Sequence, residues 1–429
     1  MSEQDSIQSS TLKHPTTDDR EEWRTYWKAQ GQPWRTEPEI GAERQKYLAA
    51  RRAIIPDIKQ GIYPFKDIKL SRADVEWLLT THDNGRGPVD WDDPSQRRRS
   101  GLDLRGADLN GEDLRHLPLA RLQGGLAGDD WRQATPEQRH IAAIHLEKAI
   151  LTYTHLEGGV LTHAHLQGAA LNETHLESAD AYEAHFESSI PTSWHGAYFD
   201  ASTKLLGATI ANSQHIGPRL FDVHWDGVNL TGLDWTSIHM ILDEDRARKR
   251  TTGRGELKPK QQRITEYEEA IRTYRQLSAL LQTQGLNEDA ARYAYRAQVL
   301  QKSLLWLQLT QQGITLRQRM QKLGTWLFSW FLFLLAGYGF RPVRSIIAYL
   351  VIIFGFMGLY LLNAHFVTPH LRWDEALVLS VSSFHGRGFF SQDISLGDTY
   401  ARLAALEAVV GLFIEISFIA TFTKRFLGS

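Results

Sequence analysis

Six histidines, His145, His155, His165, His175, His185 and His195, recur every ten residues. Imidazole changes charge near neutral pH and is the commonest metal-binding side chain. Such an array could loosen when acid charges neighbouring rings, or it could hold a divalent cation. A third reading is a neutral polar ladder, with Glu147, Glu157, Glu177 and Glu187 near enough to screen it. The array sits in a concentrated region, because twelve of the 17 histidines fall in residues 101–240. No metal-ligand motif of recognised spacing occurs, so neither a metal nor a cofactor is assigned.

A second group of chemically pointed residues lies near the C-terminus. Ser383-Phe384-His385-Gly386-Arg387-Gly388-Phe389-Phe390 puts glycines, an imidazole and a guanidinium directly after a short apolar stretch, WDEALVLSVSS. Further on, Glu407 and Glu415 interrupt a long apolar run, where a carboxylate is expensive unless it faces protein or water. They are eight residues apart, about 80° around a helix, and need not share a face. Elsewhere there is no nucleophile–base pair and no phosphate-binding loop, so no enzymatic activity is expected. The chain has no Cys, which removes disulfides, iron–sulfur clusters and thiol catalysis.

The elements that must position these groups follow from composition and period. From Thr325 onward the sequence turns to long apolar runs, whereas the earlier part is rich in Asp, Glu, Arg, His and Gly. A formal net charge of -2 argues against a strongly basic nucleic-acid binder, and no nucleic-acid partner is expected. In the middle a leucine-like residue returns every five positions: Leu104, Leu109, Leu114 and Leu119, then Leu146 through Leu176 continued by Ala181 and Phe186, then Leu220, Trp225, Leu230 and Trp235. A helix would smear that period over all its sides. Four five-residue faces instead make a square coil of about twenty residues per turn, with rungs roughly 4.8 Å apart.

Ala107-Asp108-Leu109-Asn110-Gly111 and Val228-Asn229-Leu230-Thr231-Gly232 resemble the pentapeptide-repeat family. The resemblance implies a right-handed quadrilateral β-helix over residues 101–240, interrupted at Gly124–Ala142 by what reads as a short inserted helix. On that coil His145, His165 and His185 should form one column and His155, His175 and His195 another on the opposite face. The family includes quinolone-resistance proteins that mimic duplex DNA and bind gyrase through an acidic surface. Residues 101–240 hold 18 acidic and 8 basic side chains, which suits such a mimic and equally suits plain solubility.

An open coil end must be covered, and residues 38–100 are expected to form a helical cap. Within them Glu43–Ile55 reads as a helix and Ser71 as the N-cap of RADVEWLL. Residues 1–37 are polar, lack an apolar leader and are expected to be mobile and cytoplasmic, although Trp23, Trp27 and Trp34 could dock on the cap or on a neighbouring subunit. Residues 241–261 read as a charged linker. Residues 262–322 read as a helical hairpin, with Ile264, Tyr267, Ile271, Tyr274 and Leu281 on one helix and Tyr293, Ala297, Leu300, Leu304 and Leu307 on the other. It resembles a single tetratricopeptide-type unit and is read as a spacer packing against its own copies.

Residues 323–340, around TWLFSWFLFLL, are too short an apolar run to span a bilayer and read as an interfacial helix followed by a turn at Gly337-Tyr338-Gly339. Ile346–Leu362 and Leu403–Phe422 read as two spans with basic cytoplasmic flanks, which puts both termini on the cytoplasmic side. Residues 341–429 as a whole resemble the two-span pore-loop cation channels of the potassium-channel superfamily, with Gly411 as the inner-helix hinge. The resemblance extends to a bacterial group that joins pentapeptide repeats to such a pore.

The filter departs from that family. His385 to Phe390 stand where potassium channels carry T-T-V-G-Y-G, with Phe389 replacing the tyrosine and Phe390 the second glycine. Arg387 facing the axis would disfavour cations, whereas Arg387 turned back onto Asp393, Asp398 or Glu407 would not. Glu407 is the better partner for the filter and Glu415 for the inner cavity. Potassium selectivity is not expected, and the ion is left open, an anion included. The expectation is thus a mixed fold: β-helix, helical hairpin and helical pore-loop domain. It would assemble as a homo-oligomer, a tetramer by resemblance, in lipid of the bacterial inner membrane. The coil would regulate or scaffold through a cytoplasmic ligand or protein. The alternative is a membrane-tethered binding protein whose C-terminal domain only oligomerises.

Overall fold

A computed structural model describes residues 14–17, 19–187, 192–311, 315–337, 342–366, 371–386 and 399–426. The chain divides into two compact units, Met1–Leu257 with Leu280–Leu286, and Lys258–Ala279 with Asn287–Ser429.

The first unit starts with α1 (Arg20–Ala29), which corrects the expectation of a mobile segment for the described part of residues 1–37. Trp23 and Trp27 are buried, the Arg35 guanidinium lies over the Trp27 ring at 3.5 Å, and Arg20 reaches Asp113 at 3.2 Å. Burying two indoles offsets the entropy of ordering one short helix. The cap follows as α2 (Ala42–Arg52), α3 (Arg72–Thr80) and the single turn α4 (His82–Gly85). Ser71 caps α3 in a reciprocal box with Asp74. Just before α3, the Lys69 rung pairs in parallel with Asp108, and Leu70 N donates to the Asp108 carbonyl at 2.9 Å, so the cap is hydrogen-bonded into the coil's first open rung.

The coil obeys the five-residue period. Leu104, Leu109, Leu114 and Leu119, and every leucine from Leu146 to Leu176 in that period, are at most 2% exposed. Thr154 and Thr174 take the small inward position two residues before Leu156 and Leu176, and their hydroxyls donate to the Leu114 and Leu151 carbonyls at 2.8 and 2.7 Å, so neither hydroxyl is orphaned. The insertion holds two helices rather than one, α5 (Gly128–Gln133) and α6 (Pro136–Ala142), because Ala134 is extended and Thr135 with Pro136 starts a new helix in a capping box. Later rungs lengthen into short parallel pairs: β1 (Tyr198–Asp200) pairs with β3 (His224–Asp226), and β2 (Ile216–Gly217) with β4 (Met240–Ile241).

The expected linker over residues 241–261 is also corrected, because α7 (Leu242–Arg248) closes the far end of the coil. Its Asp243 is buried and accepts the Leu220 amide at 2.8 Å. Burial raises the Asp243 carboxyl above the usual carboxylate range.

The second unit is helical. α8 (Lys260–Thr283) and α9 (Asn287–Leu309) pack antiparallel, with Tyr274 stacked on Tyr293 at 5.6 Å and Ser278 Oγ donating to the Ala290 carbonyl at 2.7 Å. α10 (Leu316–Ala336) begins earlier than its apolar run, because Thr315 and Gln318 form a capping box, and it ends at Gly337 in the left-handed conformation. Its Trp326 packs against Trp306, and Lys302 of α9 sits over Trp330 and Phe333 at 4.1 and 3.8 Å. α11 (Pro342–Phe366) and α13 (Thr399–Phe426) are long and enclose the short α12 (Trp373–Phe384). Phe356, Tyr360, Ala376, Leu379 and Tyr400 form one core there, and Ile353, Phe384 and Ile414 another. Among the described residues one stretch, Val343–Asn363, is long and apolar enough to cross a membrane.

Candidate functional site

Parallel rung pairing converts sequence period into columns of side chains. His145 pairs with His165 and His165 with His185, and their rings stack at 4.7 and 5.3 Å. In the second column His155 stacks on His175 at 4.8 Å, with planes within 8°. His195 does not join it. Twenty residues separate His155 from His175, but 23 separate His175 from its partner Tyr198, so the longer turn shifts the register by three. Tyr198 stacks on His175 at 4.5 Å and His224 on Tyr198 at 4.3 Å, while His195 stacks on Phe221. Tyr198 and His224 were not legible as column members, because the five-residue period breaks between Phe186 and Trp194 and does not say where the column resumes.

The carboxylates two residues along lie on the same side of the extended backbone. His145 Nδ1 is 3.4 Å from Glu147 Oε1, His155 Nδ1 is 2.7 Å from Glu157, His175 Nδ1 is 3.1 Å from Glu177, and His185 Nδ1 is 3.3 Å from Glu187. Hydrogen bonds to these carboxylates raise His145, His175 and His185 above the ordinary imidazole value. His165 has Gln167 at the same place, so no carboxylate meets its Nδ1. Burial, reinforced by the neighbouring His145, pulls His165 down to about 4. Two groups, His145–Glu147–His165 and His155–Glu157–His175, each bring three donor atoms within 4.8 Å of one another and could hold a metal ion.

In the helical unit Glu407 of α13 is fully buried. Its Oε2 accepts from the Tyr360 hydroxyl of α11 at 2.7 Å, and its Oε1 accepts from Ser380 of α12. Tyr360 and Ser380 were missed in the sequence, because each is one of several polar side chains in its helix and nothing in α11 or α12 singles it out. Glu407 therefore joins three helices, and the Arg387 of the filter contact expected for it lies outside the described residues. Glu415 is partly exposed and pairs with His385 Nδ1, while His385 Nε2 lies 3.3 Å from the Tyr349 hydroxyl.

Ser383 and Phe384, expected in the filter, belong to the last turn of α12 and are buried, because Phe384 packs edge-on against Tyr349 at 4.8 Å. Gly386 follows with a φ of +67°. Arg387, Gly388, Phe389 and Phe390, with Asp393 and Asp398, lie outside the described residues. Gly411 admits a close approach: a Cβ there would stand 2.1 Å from the Phe384 carbonyl oxygen.

A coil of five-residue faces with stacked side-chain columns defines the pentapeptide-repeat class. Residues 143–177 match the family model "Pentapeptide repeats" in 8 copies, so the chain carries pentapeptide repeats. No curated protein sequence matches the chain. Solved structures similar to it include the pentapeptide repeat protein Rfr23 from the cyanobacterium Cyanothece 51142, at 19% identity over 31% of this chain and 86% of that one, with a TM-score of 0.11. QnrB1, a plasmid-mediated fluoroquinolone resistance protein, is 11% identical over 33% of this chain and 80% of its own, with a TM-score of 0.13. HetL, a pentapeptide repeat protein involved in heterocyst differentiation regulation from Nostoc sp. strain PCC 7120, is 20% identical over 30% and 52%, with a TM-score of 0.11.

Proposed function

We propose that this protein is the subunit of a homo-oligomeric pore-loop ion channel in a bacterial membrane. Residues 341–429 form the pore, and the pentapeptide-repeat coil is a cytoplasmic regulatory or scaffolding part. The observation that carries this reading is Glu407. A carboxylate with no exposed surface sits between helices, satisfied by Tyr360 and Ser380, while the outer faces of those helices are apolar. Ile347, Val351 and Phe354 of α11 and Val409, Leu412, Phe413 and Ile416 of α13 are all exposed. A soluble protein buries such side chains, and a membrane protein turns them to lipid and its carboxylates inward. The apolar stretch of α11 is only 22% buried, unlike the core helix of a soluble domain.

At 28 residues, α13 is long enough to cross a hydrocarbon core of about 30 Å, which takes roughly 20 residues. The short α12 ends at Gly386 and leads into the Gly-Arg-Gly segment, as a pore helix leads into a filter. Backbone at that depth must line a cavity inside an assembly, which is why the reading requires several copies. Arg387 in place of a filter valine makes potassium selectivity unexpected. No catalytic role is proposed.

The test is the mass of the purified protein in detergent or nanodiscs, joined to ion flux into liposomes. An assembly of four copies that carries ions supports the reading. A monomer, or an assembly that carries none, reduces the C-terminal part to an anchor for a binding coil.

A further inference from the structure

The second histidine column holds a donor set that the repeat does not require. Glu157 is 3% exposed, yet only one of its carboxylate oxygens is engaged. Oε1 lies 2.7 Å from His155 Nδ1 and 3.9 Å from His175 Nδ1, whereas Oε2 has no hydrogen-bond partner. One rung on, Glu177 sets Oε1 3.1 Å from the same His175 nitrogen, and its Oε2 also lacks a partner. A buried carboxylate with an unpaired oxygen is unfavourable unless a cation balances it. Two imidazolium rings stacked 4.8 Å apart would repel each other and cannot both supply that charge.

We propose that His155, Glu157 and His175, with Glu177 as the fourth donor, bind a divalent transition metal of the zinc type across two adjacent rungs. The first three donors already lie within 4.8 Å of one another. Tetrahedral ligands around zinc sit about 3.3 Å apart, so turning the half-exposed imidazoles inward closes the site without moving the backbone. Two imidazole nitrogens and two carboxylate oxygens suit zinc, whereas calcium and magnesium take all-oxygen sets. The chain beside the site is firmly held. Gly158 adopts a φ of +61°, and Trp91 covers it so closely that a Cβ would stand 2.7 Å from the ring. The Tyr198 ring shields the other face of His175.

The experiment is a cobalt titration of the full chain in detergent, after treatment with a chelator. Bound cobalt is counted, and its visible ligand-field absorption reports the geometry. The wild type should take up cobalt with intense tetrahedral bands that zinc displaces. Glu157→Gln, which keeps the side chain's shape, should lose one equivalent per chain, and so should His175→Gln. His145→Gln, in the other column, should keep that equivalent. Circular dichroism confirms that each variant keeps its coil. A stoichiometry unchanged in Glu157→Gln, an equivalent lost only in His145→Gln, or no cobalt taken up by the folded wild type would each overturn the proposal.

Discussion

Tyr360 donates its phenolic hydrogen to Glu407 across 2.7 Å, from α11 to α13, and neither residue has exposed surface. Ser380 brings α12 into the same contact. Glu407→Ala leaves the Tyr360 hydroxyl without its acceptor, whereas Ser380 keeps the Ile353 carbonyl at 2.9 Å, and a buried unsatisfied group costs about 1–3 kcal/mol. Thermal unfolding of the detergent-solubilised protein should therefore shift down clearly. Glu407→Gln keeps an acceptor and should fall less, with Tyr360→Phe between the two. Equal melting of Glu407→Ala and wild type would show that the contact holds nothing together.

The glycines of the helical unit differ in what surrounds them. A Cβ on Gly411 would meet the Phe384 carbonyl at 2.1 Å, whereas nothing lies within 4 Å of one on Gly355. Gly411→Ala should push α12 away from α13 and destabilise the unit by about 1–3 kcal/mol, the usual cost of overpacking. Gly355→Ala should be neutral or slightly stabilising, because alanine favours helix. Melting curves of the two variants, measured side by side, check both statements.

His165 of the first histidine column gives the coil its largest sensitivity to acid, beside His116 and His163, which burial also lowers. His165 sits at about 4 in the folded chain against an ordinary 6.5, so the unfolded chain takes up its proton first. Stability should fall as pH drops below about 6.5, and the loss should be complete near 4. His145, His175 and His185 are shifted upward and act in the opposite sense. Their contribution is full below the ordinary value and is lost as pH rises through their raised values. His165→Asn should remove the largest share of the acid-sensitive part, on the order of 2 kcal/mol once solvent screening is allowed for. Denaturant midpoints of wild type and variant across this pH range give the comparison.

At the far end of the coil, Asp243 accepts the Leu220 amide from a fully buried position. Asp243→Asn keeps an acceptor for that amide and should change stability little. Asp243→Ala should cost about 1–3 kcal/mol by orphaning it. Hydrogen exchange at Leu220 should rise in the alanine variant and stay slow in the asparagine one.

The coil could be read from sequence because each inward leucine is fixed by the same five-residue face, so period alone places Leu146 to Leu176. The register after Glu187 could not, since the inward positions jump eight residues from Phe186 to Trp194 and six from Phe199 to Leu205, and a broken period does not say that His195 goes to Phe221. Trp194, Phe199, Leu205 and Ile210 are buried there and went unnoticed for the same reason. Charged composition hid α7. Asp243 and Glu244 read as solvated linker residues, but a coil end offers unpaired amides that bury them. Glu407 was recognised as expensive in an apolar helix, but a lone carboxylate does not say which hydroxyls meet it. Tyr360 and Ser380 come from helices far apart in sequence.

The most direct test of the channel reading is the reversal potential of the purified full chain in a planar bilayer, under a potassium chloride gradient and then with each ion replaced in turn. The account predicts a steady current whose reversal lies away from the potassium potential, because Arg387 and Phe389 replace the valine and tyrosine of a potassium filter. The absence of any current from folded, oligomeric protein would contradict it.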